Sequence, residues 1–119
     1  MSTPLARGAA AAERGSSEPV ELEPCSPGHF EVRGPLTFAT ARRARELGMK
    51  LLDVGGGANA LEIDCSQIAA SDSAGLCVLL DWLTIAKRSH RTLRLSGLPD
   101  QLMALARITN VDKMLERGV

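Results

Sequence analysis

The sequence predicts an α/β domain, a four-stranded mixed β-sheet with helices packed on one face, in the order β-β-α-β-α-β-α. Segments with apolar side chains at every second position are interspersed with segments whose apolar side chains recur at helical spacing. Every predicted strand alternates, whereas a parallel sheet covered on both faces shows continuous apolar runs. We therefore expect helices on one face and a charged, open face on the other. The length of 119 residues suits one domain.

Four strands are predicted from this alternation. The first two, "VELEP" and "HFEVRG", flank the turn sequence "PCSPG" and form a predicted hairpin. The third is "ALEIDCS" (60–66) and the fourth is "TLRLSG" (92–97). The open face is expected to carry Glu21, Glu23, Glu31, Arg33, Glu62, Asp64 and Arg94.

Three helices are predicted between and after the last three strands. The first covers 38–54, with Thr37 or Thr40 as its candidate N-cap. The second and longest covers 73–89. The third opens at Pro99, because proline suits the first turn of a helix. The tail "VDKMLERGV" is expected to add one further helical turn.

Composition argues against several functions. Lys plus Arg and Asp plus Glu each total 14, so the net charge is zero, and the chain has one Trp, two Phe and no Tyr. This balance argues against a nucleic-acid partner, which favours a basic excess and aromatic side chains for stacking. The three cysteines, Cys25, Cys65 and Cys77, are widely spaced without a CxxC pair. Neither a metal site nor a disulfide framework is expected.

We expect neither enzymatic activity nor a cofactor. The glycines at 55–57 lack the Gly-Lys-Ser/Thr ending of a phosphate-binding loop, so we interpret them as a turn. His29 and His90 are far apart in sequence and form no evident acid–base pair. Residues 1–18 carry almost no large apolar side chain and are expected to be a disordered tail before a domain at 19–119. We expect a soluble, cytoplasmic protein.

The stretch "SDSAGL" (71–76) places two hydroxyls and a carboxylate before the longest helix. Ser71, Asp72 or Ser73 is predicted to cap that helix by accepting from its first N–H groups. Gly75 lets another backbone approach closely. The same turn also presents a hydroxyl to a partner, and local chemistry leaves both roles open.

One flank of the longest helix is apolar beyond the stripe that faces the sheet. Val78, Trp82 and Ile85 lie on this flank. They either pack on a neighbouring helix or form an exposed patch that binds a partner, in which Trp would be a favoured contact. The pattern does not choose between these two alternatives.

The stretch "LEIDCSQIAASDSAGLCVLL" and the segment from "AKRSH" to "DKML" resemble the STAS family, the sulfate-transporter and anti-sigma-factor-antagonist domain. The matching element is a strand ending in Asp64, a loop, the Asp72-Ser73-x-Gly75-Leu76 motif and a long apolar helix. The resemblance covers most of residues 20–115. It implies a sheet with helices on one side.

Within that family the chain is most similar to the small STAS subunit of the Mla-type ABC system, through "AK", "LSGL" and "LARITNV". This resemblance implies a non-catalytic subunit that binds the transporter's ATPase, supports phospholipid movement between inner and outer membranes, and so maintains lipid asymmetry. Its membrane association would be peripheral, through the complex. The departures are Ala74, the acidic first strands and the N-terminal extension.

The alternative branch is the anti-sigma-factor antagonist, in which the partner is an anti-sigma factor kinase and Ser73 is the candidate phosphosite. On either branch, the residues expected to bind the partner are Asp72, Ser73, Gly75, Val78, Trp82 and Ile85.

Overall fold

A computed structural model describes residues 19–54 and 59–118 of the chain, with the backbone alone at 53 and 54. The predicted tail at 1–18 and the predicted glycine turn at 55–57 lie outside the described residues. The elements are β1 (Glu21–Ser26), β2 (His29–Leu36), α1 (Ala41–Met49), a π-helical segment (Lys50–Val54), β3 (Ala60–Ser71), α2 (Ser73–Arg88), β4 (Thr92–Ser96), α3 (Asp100–Ile108) and α4 (Asp112–Arg117).

The four strands form one mixed sheet in the order β1-β2-β3-β4. Strands β1 and β2 pair antiparallel as the predicted hairpin, and the β2–β3 and β3–β4 pairs are parallel. The register sets Glu31 beside Asp64 and Glu62 beside Arg94 on the same face. The Arg33 Nε lies 2.9 Å from the Glu31 Oε1 on that face. The predicted mixed sheet and its charged face are therefore confirmed.

The core lies between the sheet and the helices. Leu61, Ile63 and Cys65 are buried on β3, whereas Glu62 and Asp64 between them are partly exposed, so the strand alternates as expected. Helix α2 packs over β3 and β4, while α1 lies over the β1 side. Apolar side chains of α2 such as Leu79 are fully buried against this layer.

Strand β3 is longer than the sequence analysis predicted. It continues beyond 66 to Ser71, and its second half pairs with β2 through Gly34–Ile68 and Leu36–Ser71. The register of this half is irregular at two points. Ser66 and Gln67 are both exposed, so the alternation that signals a strand is interrupted there. Pairing with β2 therefore continues β3 through a segment whose sequence does not alternate between apolar and polar residues.

The first helix starts later than predicted, at Ala41. Thr40 is its N-cap residue, but the hydroxyl does not cap the helix. Instead the Thr40 hydroxyl donates to the Pro35 carbonyl at 2.8 Å and accepts from the Thr37 N–H at 3.0 Å. Residues 37–40 consequently form a tight turn between β2 and α1. The further helical turn expected in the C-terminal tail is α4.

The predicted docking flank of α2 is largely covered by α1. Trp82 is fully buried, and its Nε1 donates to the Ala44 carbonyl oxygen at 3.2 Å. Gly48 lies against the indole ring, where a Cβ would overlap Nε1. Val78 is also buried, and Ile85 is half-buried against the core. The exposed-patch interpretation is therefore wrong for Trp82 and Val78, because the flank packs on the neighbouring helix.

Replacing Gly48 with alanine tests the contact between α1 and α2, because the sign of the change in the free energy of unfolding depends on that contact. Within a helix, Gly→Ala ordinarily stabilises by about 1 kcal/mol. Here Gly48→Ala is expected to lower the free energy of unfolding by about 1–3 kcal/mol, because the added methyl group overpacks against Trp82. Urea denaturation measures the change. The double variant Gly48→Ala/Trp82→Phe should lose less than the sum of the single losses, since phenylalanine lacks Nε1. Strict additivity, or a more stable Gly48→Ala variant, would contradict the contact.

Candidate functional site

The Asp72 carboxylate joins two segments that are distant in sequence. Asp72 is the N-cap of α2 in an extended conformation, and its Oδ1 accepts from the Gly75 N–H at 3.1 Å. Its Oδ2 accepts from the backbone N–H of Phe38 at 3.0 Å. Of the three candidate caps, Asp72 is therefore the one whose side chain caps the helix. The same side chain holds the β2–α1 turn against the start of α2.

Gly75 allows the first turn of α2 to lie directly on the end of β2. A Cβ at this position would collide with the backbone carbonyl oxygen of Leu36. Gly75 is buried, and the neighbouring Leu36 is fully buried in the core. The predicted close backbone approach is thus between Gly75 and the chain's own β2 strand. Gly75 thereby fixes the position of the turn relative to β2.

Ser73 is the first residue of α2 and is exposed to solvent. Within the described part of the chain its hydroxyl makes no hydrogen bond, so it is accessible to a second molecule. The helix N-terminus provides a partial positive charge beside it, while the Asp72 carboxylate provides a negative one. His90 lies beyond the opposite end of α2, and His29 lies on β2. Neither imidazole is placed to deprotonate Ser73.

Phe38, which is 84% exposed, is not among the site residues that the sequence predicts. The sequence predicts Phe38 to be the first residue of a helix, whereas the structure places it at the tip of the turn closed by Thr37 and Thr40. The available signal was a lone aromatic residue between two threonines in a chain with only two phenylalanines. Because Asp72 holds the Phe38 backbone, the exposed ring lies beside the start of α2.

A shallow groove of about 530 Å³ runs from Phe38 between α1 and α2. Ala74 and Cys77 of α2 line one side, and α1 lines the other. At its edge the Arg45 Nε donates to the Asp81 Oδ2 at 3.1 Å, which links the two helices. We call the surface formed by the exposed Phe38, Ser73 and Cys77 and the half-buried Ala74 the α2 N-terminal surface.

The three cysteines occupy different environments, and all are free thiols. Cys77 is exposed on the α2 N-terminal surface, and Cys25 is exposed on β1. Cys65 is buried in β3, and burial, reinforced by the nearby Asp64 carboxylate, raises the pKa of its thiol to about 12. Cys65 is therefore protonated at neutral pH and is a packing residue.

Among residues 19–54 and 59–118, no group of three His, Cys, Asp or Glu side chains is arranged to hold a metal ion.

The family model described as "Mlab, STAS domain" matches residues 24–116. The chain belongs to the STAS domain family. This match begins within β1 and ends within α4, and it includes the Asp72–Gly75 turn. A search of curated proteins found no significant match.

Three solved structures are similar to this chain in fold. A sulfate transporter family protein from Wolinella succinogenes is 21% identical, with a TM-score of 0.58 over 75% of this chain and 70% of that chain. The anti-sigma factor antagonist SpoIIAA in its unphosphorylated form is 14% identical, with a TM-score of 0.56 over 77% and 82%. SLC26A9 is 17% identical, with a TM-score of 0.56 over 72% of this chain but only 16% of its own. At these identities the likeness is one of fold.

The structure brings together three of the six predicted partner-binding residues. Asp72, Ser73 and Gly75 form one turn, which Phe38 joins from another segment. The remaining three, Val78, Trp82 and Ile85, point toward the interior of the helical layer.

In the described segments, no helix is both long enough and apolar enough to cross a membrane.

Substitutions at Asp72 separate its two hydrogen bonds. Asp72→Ala removes both acceptors and is expected to lower the free energy of unfolding by about 1–2 kcal/mol, mainly through loss of the cap. Asp72→Ser should lose less, because a serine oxygen still caps Gly75 but cannot also reach Phe38. Amide hydrogen exchange by NMR gives the sharper readout. The Phe38 amide should exchange faster in both variants and the Gly75 amide faster in the alanine variant alone. Unchanged Phe38 exchange in both would contradict the bridging role.

Proposed function

We propose that this STAS domain is a non-catalytic accessory subunit that binds the ATPase of an ABC transporter moving phospholipids between inner and outer membranes. The observation that carries the proposal is the pair of exposed residues Phe38 and Ser73, which Asp72 holds together. The matching family model has the description "Mlab, STAS domain", which favours the transporter branch. The resemblance at "AK", "LSGL" and "LARITNV" supports the same branch. On this proposal ATP is hydrolysed by the partner, and the STAS domain acts through binding.

The α2 N-terminal surface has the properties of a protein-docking site. A phenylalanine that is 84% exposed leaves most of its apolar area in water, and aromatic residues are enriched where proteins meet. The ring is presented on a turn fixed by Thr40 and Asp72, so little conformational entropy is lost on binding. The exposed Ser73 hydroxyl beside it supplies a polar contact. An apolar anchor with a directional hydrogen bond suits a specific partner.

The anti-sigma-factor-antagonist branch is the second candidate, and the exposure of Ser73 favours it. A phosphoryl group on Ser73 would lie at the positive end of the α2 dipole, although the Asp72 carboxylate would repel it. The partner would then be an anti-sigma factor kinase. Recovery of the partner by co-purification from native extract distinguishes the candidates. An ABC ATPase supports our proposal, whereas a histidine-kinase-like anti-sigma factor would overturn it in favour of the alternative.

Phe38→Ala tests whether the exposed ring anchors the partner. We expect affinity for the co-purified ATPase to fall about tenfold or more, while the free energy of unfolding changes by less than about 0.5 kcal/mol. Isothermal titration calorimetry and urea denaturation measure the two quantities. Ile108→Ala is the matched control, because Ile108 is a 78% exposed side chain at the end of α3. Equal affinity losses in the two variants would refute a specific role for Phe38.

Ser73 variants separate a contact from a phosphorylation switch. For an ATPase adaptor, both Ser73→Ala and Ser73→Asp should weaken binding of the ATPase, since the first removes a hydroxyl and the second adds charge beside Asp72. For an antagonist, Ser73→Asp should imitate the phosphorylated form, and Ser73→Ala should keep binding the kinase. Ser89→Ala, at the C-cap of the same helix, controls for loss of a hydroxyl. An unchanged dissociation constant for Ser73→Ala would remove Ser73 from the docking site.

A further inference from the structure

A second groove lies at the other end of α2, where the helix faces α4. Its volume is about 580 Å³. Lys87 of α2 and both Lys113 and Arg117 of α4 line it, and its apolar lining includes Leu83 and Met114. Among residues 19–54 and 59–118, no Asp or Glu side chain lines this groove. It therefore combines three positive charges with an apolar wall.

The three cations are not explained by ion pairing. Among the residues that the structure describes, no ion pair includes Lys87, Lys113 or Arg117. The carboxylates of α4, Asp112 and Glu116, are not part of the groove lining. The positive charges consequently face the groove without a neutralising partner in the described chain.

The two cations of α4 differ in how they suit the helix dipole: Arg117 lies in the last turn, where the dipole favours a positive charge, whereas Lys113 does not suit its position. Lys113 lies in the first turn of α4, where the helix dipole disfavours a positive charge. Lys113 and Arg117 are four residues apart on one helix, a spacing at which like charges repel. Lys87 adds a third positive charge from the facing helix. An anion bound among the three side chains would relieve the repulsion between their like charges.

We propose that the groove between α2 and α4 binds a phosphate-bearing anion. The phosphate would belong either to a phospholipid headgroup or to a soluble phosphate compound. Lys and Arg side chains form charge-assisted hydrogen bonds to phosphate oxygens. The 48% exposed Met114 provides an apolar contact next to them. Lys87 lies fourteen residues after Ser73, or about 21 Å along the helix, so this site is separate from the α2 N-terminal surface.

Binding of two probes to the full chain tests the proposal. The first is inorganic pyrophosphate, followed by calorimetry. The second is a pair of vesicle preparations, phosphatidylcholine with and without phosphatidylglycerol, followed by co-sedimentation. We expect binding of at least one anionic probe that weakens as salt increases. The variant Lys113→Gln/Arg117→Gln should weaken it about tenfold or more. Its melting temperature should be unchanged or higher, because the like-charge repulsion on α4 is removed.

A matched variant controls for net charge. Arg94→Gln/Arg107→Gln removes two exposed positive charges, on β4 and α3, that lie outside the groove, and it should bind as the unmodified chain does. Lys87→Gln provides an independent test from α2 if the α4 variant fails to fold. Binding to phosphatidylglycerol vesicles alone identifies a lipid headgroup, and binding to pyrophosphate identifies a free phosphate. Absence of binding to both probes, or equal loss in the control variant, would overturn the proposal.

Discussion

The Asp72 carboxylate is the interaction on which the site depends. A helix leaves its first N–H groups without partners inside the helix, and Asp72 satisfies one of them at Gly75. Its second oxygen binds the N–H of Phe38, thirty-four residues earlier in the chain. One side chain thereby fixes both the start of α2 and the turn that carries the exposed ring. Gly75 makes this geometry possible, since any larger residue would push α2 away from the end of β2.

The packing of α1 on α2 determines which surface remains for a partner. Gly48 leaves room for the Trp82 ring, and the Trp82 hydrogen bond to the Ala44 carbonyl fixes the ring in place. The largest apolar side chain of α2 is thus used inside the domain. Near the N-terminus of that helix, Phe38 of the preceding turn is left exposed. The candidate docking surface therefore lies at the N-terminus of α2, and the flank belongs to the core.

Short-range patterns were sufficient to predict much of this structure. Alternation in four strands predicted the one-sided sheet, because a charged side chain at every second position requires one open face. The cap at Asp72 was among the predicted candidates, since only a few residue types accept from the first turn of a helix. The second half of β3 could not be predicted, because its strand character comes from pairing with β2 across an irregular register.

The environments of Trp82 and Phe38 depend on contacts that sequence spacing does not reveal. Trp82 is buried because a glycine on another helix lies opposite it. Phe38 is exposed because Thr40 bonds to Pro35 and ends the turn before the helix begins. The family resemblance directed attention to the Asp72–Gly75 motif, but Phe38 comes from a segment outside that motif and is brought to it by the hydrogen bond to Asp72.

The central claim is that the α2 N-terminal surface meets the partner, and the chain's own cysteines test it most directly. Cys77 lies on that surface, Cys25 is exposed on β1, and Cys65 is buried. Iodoacetamide labelling, followed by mass spectrometry, compares the three thiols in the free protein and in its complex with the co-purified ATPase. If the α2 N-terminal surface meets the partner, complex formation slows labelling of Cys77, while Cys25 reacts at an unchanged rate and Cys65 stays unlabelled. Unchanged labelling of Cys77 in the complex, or protection of Cys25 in its place, would contradict it.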